Sequence, residues 1–299
     1  MILVVGGTGD LGGRVVAHLR SAGQDVRCLV RPTSDDAGLR AQGVDVVSGD
    51  LTDGASLNRA CEHIEVVVAT ATSIARQLSG RRTPSMHEVD NLGMCSLVDA
   101  AERAQVERFV YVSYAGVDTA LDSPLERAKI AVEDRLSRTP MAVCIVRPDA
   151  FQEIHLAPIG RFDIAAGKVA IFGRGDTPRR WIATEDVAAL VAAVATEAHP
   201  PRVIEVGGPE ALSRNDAIAA AERFTGRKMK RQRMPRPLAR IGMRVLDKRN
   251  PALASVFGAG LLQDLQPATW DDAALQERGV TPRSASDFLR QQALETTNK

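Results

Sequence analysis

The stretch Met1–Leu19, MILVVGGTGDLGGRVVAHL, decides the fold. The aliphatic run Ile2–Val5 leads directly into Gly6-Gly7-Thr8-Gly9-Asp10-Leu11-Gly12, and a segment of helical period comes next without a break. Gly6 lets the chain turn tightly off a strand, Gly9 lets the backbone approach a phosphate, and Gly12 lets a helix pack on a sheet. The amino terminus of that helix offers unpaired N–H groups and positive potential, which suit a pyrophosphate. Glycines at this spacing also make plain turns. Their place in a first strand–turn–helix unit with apolar flanks favours dinucleotide binding over a merely structural turn.

Working outward, the first 150 residues alternate between short β-branched runs and helical segments. The expected strands are Ile2–Val5, Val26–Val30, Val44–Val47, Val66–Ala69, Phe109–Ser113 and Val143–Arg147, with Leu11–Ala22 and Asn91–Ala104 among the helices. Several strands are apolar nearly throughout, as central parallel strands covered on both faces must be. This rhythm predicts an α/β fold: a doubly wound parallel sheet of the Rossmann type with right-handed crossovers. Residues 1–150 are expected to form the dinucleotide-binding domain. Residues 151–299 are expected to form a smaller, mostly helical lobe, with some segments returning to the main sheet and the lobe closing over the carboxyl ends of its strands.

Bulk properties exclude several classes. A net charge of +1, from 38 basic and 37 acidic side chains, gives no global attraction to nucleic acid or membranes. An apolar share of 44% and a charged share of 25% are those of an ordinary globular protein. Cys28, Cys61, Cys95 and Cys144 are far apart and form no C-x-x-C pair, so buried free thiols in a reducing compartment are expected. No grouping of residues has metal-ligand spacing, and no metal site is expected. The apolar start breaks into glycines too early for a signal peptide. A cytoplasmic location without membrane insertion is therefore expected.

Beyond Pro148 the rhythm loosens. A helix is expected from Thr184 or Glu185, a strand at Val203–Val206, and a helix beginning at Ser213. The biased segment GRKMKRQRMPRP, Gly226 to Pro237, holds six basic residues. RNA or acidic lipid is one reading of such a run. With no aromatic among the charges to stack a base, a solvated connector or strand is preferred, and no nucleic acid is expected. Leu238–Leu246 is expected as a short amphipathic helix with Leu238, Ile241, Val245 and Leu246 on one side, its basic neighbours available to a partner. Two short helices around Gly279–Pro282 close the chain.

At the end of the second expected strand the chain reads Cys28-Leu29-Val30-Arg31-Pro32-Thr33-Ser34. The carboxylate that would hold the ribose hydroxyls of NAD is absent. A guanidinium stands there instead and favours the 2′-phosphate of NADP, with hydroxyl donors at Thr33 and Ser34. NADPH is therefore expected over NADH. Asp50 either lies at the adenine edge or caps the helix that begins near Gly54.

Chemistry is sought at RFVYVSYAG, Arg108 to Gly116, a strand ending in Ser113 and Tyr114, and at DSPLERAKIAVEDRL, Asp122 to Leu136. Ser123-Pro124 suits the start of a helix. Positions 125 and 129 share one helix face, and they hold Leu125 and Lys129. A tyrosine at 125 would donate a proton while lysine lowered its pKa; leucine has no proton to give. Lys129 as a simple surface partner of Glu133 is the alternative. His87 and His155 are isolated, and Asn91 is read chiefly as structural.

With GGTGDLGG, LVRPTS, VDNLGMCSLVDAAERAQVERFVYVSYAG, SPLERAKIAVEDRL, VCIVRPDAFQE and WIATEDVAAL in place, the chain from Met1 to about Leu190 resembles the short-chain dehydrogenase/reductase superfamily, in its atypical NmrA-like branch. That branch includes quinone and azo-dye reductases, isoflavone-type reductases, redox-sensing regulators and assembly factors. The resemblance implies that Thr8, Gly9, Asp10 and Leu11 follow the diphosphate and that Arg31 meets the adenosine phosphate. It also implies that Ala69, Thr70, Ala71 and Thr72 line the cofactor site and that Lys129 contacts the nicotinamide ribose. By the same resemblance, the run from Pro148 to Gln152, with Phe151, is expected to pass beside the nicotinamide. Leu125 departs from the pattern and argues against ordinary alcohol dehydrogenation.

Two functions are compatible with these residues. The first is an NADPH-dependent reductase of an electrophilic small molecule such as a quinone, with Lys129, Ser113 and Tyr114 as the candidate catalytic groups. The second is a non-catalytic NADP(H)-binding sensor, regulator or assembly factor with a protein partner, its nicotinamide site filled by residues such as Phe151 or Trp181. A monomer is expected.

Overall fold

The computed structural model describes residues 1–80, 84–118 and 120–297. The main sheet contains β1 (Ile2–Val5), β2 (Val26–Val30), β3 (Asp45–Ser48), β4 (Val66–Ala69), β5 (Arg108–Val112) and β6 (Ala142–Pro148). A smaller sheet contains β7 (Phe162–Asp163) and β8 (Lys168–Phe172); β9 (Val203–Val206) returns to the main sheet, and β10 (Lys230–Met234) joins the smaller one. The seven-stranded order is β3-β2-β1-β4-β5-β6-β9. Pairing is parallel from β3 across to β6, so these strands end on one edge. Val5 lies opposite both Leu29 and Ala69, and Ala69 opposite Tyr111. The loops after β1, β2, β4 and β5 therefore leave the sheet at the same level.

Internal contacts divide the chain into two compact units. The first comprises residues 1–113, 124–146 and 187–204; the second comprises 114–123, 147–186 and 205–299. In the first, all of Ile2–Val5 is buried, as a strand covered on both faces requires. Leu3, Val67 and Phe109 pack with Leu57, Leu97 and Val132 from helices on one face. Ile2 and Val4 alternate with Leu3 and Val5, so they point to the opposite face. The helix Thr184–Thr196 is closed at its carboxyl end by Arg108, whose guanidinium donates to the carbonyls of Ala195 (3.2 Å), Glu197 (2.6 Å) and Ala198 (2.9 Å).

The second unit is built around a three-stranded sheet, β10-β8-β7, with β10 parallel and β7 antiparallel to β8. Its core gathers Leu156, Phe162, Val169, Ile171, Trp181, Ile218 and Leu289. The basic segment forms the edge strand β10, exposed along almost its whole length, and the helix Arg236–Leu246 comes directly after it. The expected apolar stripe of that helix does not face inward. Ala239 and Met243 are its buried residues, whereas Leu238, Ile241 and Val245 are more than half exposed. The longest helix of this unit, Pro251–Leu265, was not expected from the sequence.

Asp149, just after β6, organises the start of the second unit. Its carboxylate receives Arg179 Nε at 3.0 Å, Trp270 Nε1 at 2.9 Å and the backbone N–H of Arg180 at 2.9 Å. Both members of the Asp149–Arg179 ion pair are buried. Arg179 also donates to the Gln266 carbonyl at 2.8 Å, so the remaining hydrogen-bonding capacity of the pair is well used.

Candidate functional site

The glycine turn is shaped as its spacing predicts. Gly6 has φ +106°, a conformation costly for any side-chain-bearing residue, and a Cβ there would lie 2.6 Å from Thr70 Oγ1. At Gly12 a Cβ would stand 2.2 Å from the Gly6 carbonyl oxygen. The turn is closed by the Gly9 N–H donating to that same oxygen at 2.9 Å. Gly9 sits at the amino end of the helix Asp10–Ser21 with no side-chain bond to its first N–H groups. Thr8, Gly9 and Asp10 are exposed there, Leu11 is half-buried, and the Asp10 carboxylate is turned to Arg14 at 2.9 Å. An uncapped helix terminus behind a bare glycine turn is a physical match to a diphosphate.

The loops after β2 and β4 lie on either side of β1. Arg31 is half-buried at the end of β2, Thr33 is exposed, and the Ser34 hydroxyl oxygen is buried with no hydrogen-bond partner. Thr70 donates its hydroxyl to the Val5 carbonyl at 3.2 Å, locking the β4 loop to β1. Ala69 is buried and Ala71 half-buried beside it. Sequence reasoning missed Arg76, in the short helix Ile74–Leu78. Its pKa is lowered by burial and by the charge of Arg31, against weaker support from Asp50 and Asp90. A half-buried Arg76 that feels the charge of Arg31, with an unpartnered buried hydroxyl at Ser34, suits an added anion. Neither guanidinium makes an ion pair among the described residues.

Asp50 is half-buried and accepts from the Thr52 N–H (2.9 Å) and hydroxyl (2.8 Å). The helix Gly54–Cys61 is capped instead by Asp53, which accepts from the Ala55 N–H at 3.0 Å. The capping alternative for Asp50 is thus corrected: a residue directly before the first helical position reaches the free N–H groups, and Asp50 stands too far upstream.

Lys129 lies in the helix Pro124–Leu136 and is buried. Its Nζ donates to the Val112 carbonyl at 2.8 Å and sits 4.7 Å from the centre of the Tyr111 ring. Burial lowers its pKa to about 8, opposed by the charges of Asp90 and Glu133. A surface partnership with Glu133 is excluded by that burial. Asp90 is itself buried and accepts from the Ser73 backbone N–H (3.1 Å) and hydroxyl, tying the β4 loop to the segment His87–Gly93. That segment is a π-helix running into the helix Met94–Arg103, so helical structure starts well before the expected Asn91. Asn91 contacts His87 Nδ1 at 3.3 Å and accepts from the Cys95 thiol at 3.7 Å. Such π segments recur at functional sites because the widened turn re-aims side chains.

Leu125 is half-buried, one turn before Lys129. Ser113 lies just after β5; it is buried, and its hydroxyl oxygen has no hydrogen-bond partner. Tyr114, Pro148 and Phe151 belong to the second unit: Tyr114 half-buried, Pro148 buried at the end of β6, Phe151 half-buried and bridged to Ile182. Trp181 is no plug for a nicotinamide site. Its ring is buried in the core of the second unit, and its Nε1 donates to the Leu212 carbonyl at 2.8 Å. His155 is held neutral, its pKa lowered to about 3 by burial and by the charges of Arg214 and Arg179. All four cysteines are free, and burial raises the Cys28 and Cys61 thiols to about 12, far from reactive thiolates.

Comparison with known proteins agrees with this geometry. A model of the NAD(P)H-binding family matches residues 6–198. The NAD(P)H azoreductase of Xenophilus azovorans is 30% identical over 230 residues, 76% of this chain and 74% of that protein. The photosystem II assembly factor Ycf39 of Synechocystis sp. is 28% identical, over 80% of this chain and 72% of the other. In fold, the NADPH-dependent quinone oxidoreductase of Escherichia coli superposes with a TM-score of 0.75 at 21% identity, covering 97% of this chain and 99% of its own. The glycine turn, the uncapped helix behind it and the family match over residues 6–198 lead to one conclusion: the chain belongs to the NAD(P)H-binding family.

Proposed function

We propose that this protein is an NADPH-dependent reductase of an electrophilic small organic molecule such as a quinone. The observation that carries the cofactor choice is the pair Arg31 and Arg76, with no ion pair of their own among the described residues, beside the unpartnered Ser34 hydroxyl. A 2′-phosphate brought between them would relieve the mutual repulsion and supply the missing acceptor; a bare ribose hydroxyl would not. Gly6, Gly9 and the N–H groups from Asp10 onward would hold the diphosphate, and Lys129 the nicotinamide ribose.

The bound nicotinamide would supply a hydride. With leucine at 125, no proton-donating side chain occupies the usual place on that helix. Quinone reduction tolerates this, because the hydroquinone oxygens collect their protons from water and the acceptor needs no side-chain acid to become electrophilic. The Ser113 hydroxyl, buried and without a partner, is suited to donate a hydrogen bond to the oxygen that gains negative charge. The azoreductase and quinone oxidoreductase likenesses support this substrate class.

A second reading rests on Lys129. Its ammonium is already committed to the Val112 carbonyl, and several relatives are assembly factors by name. A protein that binds NADP(H) without turning it over fits the same residues. Titration of the purified protein with NADPH and NADH, with loss of reduced-nicotinamide absorbance then measured against quinones and azo dyes, distinguishes them. Tighter NADPH binding with turnover is expected; binding without turnover across the panel would favour the scaffold.

A further inference from the structure

The basic segment takes no part in the reductase chemistry, yet the second unit gives it an arrangement of its own. Residues 227–249 hold ten Lys and Arg against a single acid, Asp247, a local charge of +9 in a chain whose total is +1. Everything else therefore carries −8. The segment is the exposed edge strand β10 and the helix Arg236–Leu246. On that helix Ala239 and Met243 turn inward, with Leu246 packed against the same cluster. Leu238, Ile241 and Val245, at spacings of three and four, form a second apolar stripe that stays 55%, 56% and 58% exposed. Single exposed aliphatics are ordinary. Three in a row on one helical face, bordered by Arg240, Arg244, Lys248 and Arg249, are not. These four cations are exposed and make no ion pair among the described residues.

We propose that the helix Arg236–Leu246, with β10 beside it, lies on an anionic phospholipid surface. An interfacial helix needs an apolar face to enter the headgroup boundary and cations beside it to meet lipid phosphates. Both are present here. Long arginine and lysine side chains reach past their own helix to the phosphate level. The guanidiniums of the cleft at the amino end of the helix are already engaged, Arg236 by Asp264 and Arg174 by Asp176, so the cations that meet the lipid are Arg240, Arg244, Lys248 and Arg249. The proposed contact is peripheral, and among the described residues no helix is long and apolar enough to cross a membrane. A lipid surface fits better than RNA because the exposed residues between the charges are aliphatic and offer no ring for a base to stack on. This inference does not depend on the reduction chemistry.

The test is co-sedimentation of the whole protein with vesicles of phosphatidylcholine alone and of phosphatidylcholine mixed with phosphatidylglycerol. Binding to the anionic vesicles only, weakening as salt is raised, is expected. Arg240→Gln with Arg244→Gln should weaken it about 25-fold, at about fivefold per cation near an anionic surface. Ile241→Ser with Val245→Ser should weaken it independently. Unchanged circular dichroism and an unchanged unfolding midpoint in both double variants would establish that they are folded. No binding to either vesicle, or equal binding to both, would overturn the proposal. So would retention on polyuridylate without vesicle binding. A concentration-dependent dimer that Ile241→Ser with Val245→Ser dissolves, without vesicle binding, would assign the stripe to a second copy of the chain instead.

Discussion

Arg31 and Arg76 carry the sharpest prediction at the scale of single residues. Replacing either by alanine should weaken NADPH by about 1–3 kcal/mol, the range of a hydrogen bond to a charged group, and leave NADH nearly unchanged. Equal weakening of both nucleotides in a fluorescence titration would remove the 2′-phosphate assignment. Leu125→Tyr places a phenol one turn from the buried amine of Lys129. It should create measurable reduction of simple ketones, and a silent ketone panel would show that the pocket is not arranged for proton transfer. Lys129 itself gives a pH dependence. In the unfolded chain it keeps its proton to about pH 10.5, whereas in the folded chain burial lowers its pKa to about 8. Between these values the unfolded state binds more protons, so stability rises with pH. Below about 8 the whole penalty is present, about 3 kcal/mol at 1.36 kcal/mol per pH unit. Lys129→Met removes that penalty but also the bond to the Val112 carbonyl, a loss that does not vary with pH. The advantage of the variant over the natural protein should therefore shrink steadily from pH 8 to 10.5 in urea denaturation. A constant difference would show that the amine does not titrate in that window.

Among elements, the first strand, turn and helix were legible because each depends on local requirements. Apolar character sets the strand, positive φ and close approach set the glycines, and a period of three and four residues sets the helix behind them. Gly12→Ala tests the closeness directly. Its methyl would meet the Gly6 carbonyl oxygen at 2.2 Å, so the helix must shift off the sheet. A loss of about 1–3 kcal/mol in stability is expected, with NADP(H) affinity falling alongside. Normal affinity would mean that the helix terminus plays no part in binding. Other elements were hidden for identifiable reasons. Pro251–Leu265 is apolar on nearly every side, so no amphipathic period marks it. The strand β10 is mostly basic and polar, and backbone pairing to β8 makes it a strand, not its side chains. The π-helix at His87–Gly93 leaves no mark in a pattern of three- and four-residue spacings.

For the whole molecule, the second unit holds Asp149 and Arg179 in a buried, hydrogen-bonded pair between residues 30 positions apart, which no local pattern of the sequence marks. Asp149→Asn leaves the guanidinium buried without its counter-charge. A loss of about 3–5 kcal/mol in the unfolding of the second unit is expected. A change below about 1 kcal/mol would mean that water reaches the pair.

By itself the sequence determined the doubly wound sheet, the glycine turn, the place of Arg31 after β2 and the missing acid at position 125. Each rests on the period, size or charge of residues close together in the chain. Tertiary structure alone decided the rest. Arg76 joins Arg31 across 45 positions because β2 and β4 flank β1. Lys129 gives up its surface for the end of β5, and Asp53 displaces Asp50 as a cap. Period alone marks an apolar stripe on Arg236–Leu246; which part of it the core covers depends on the neighbours that fill the space beside it.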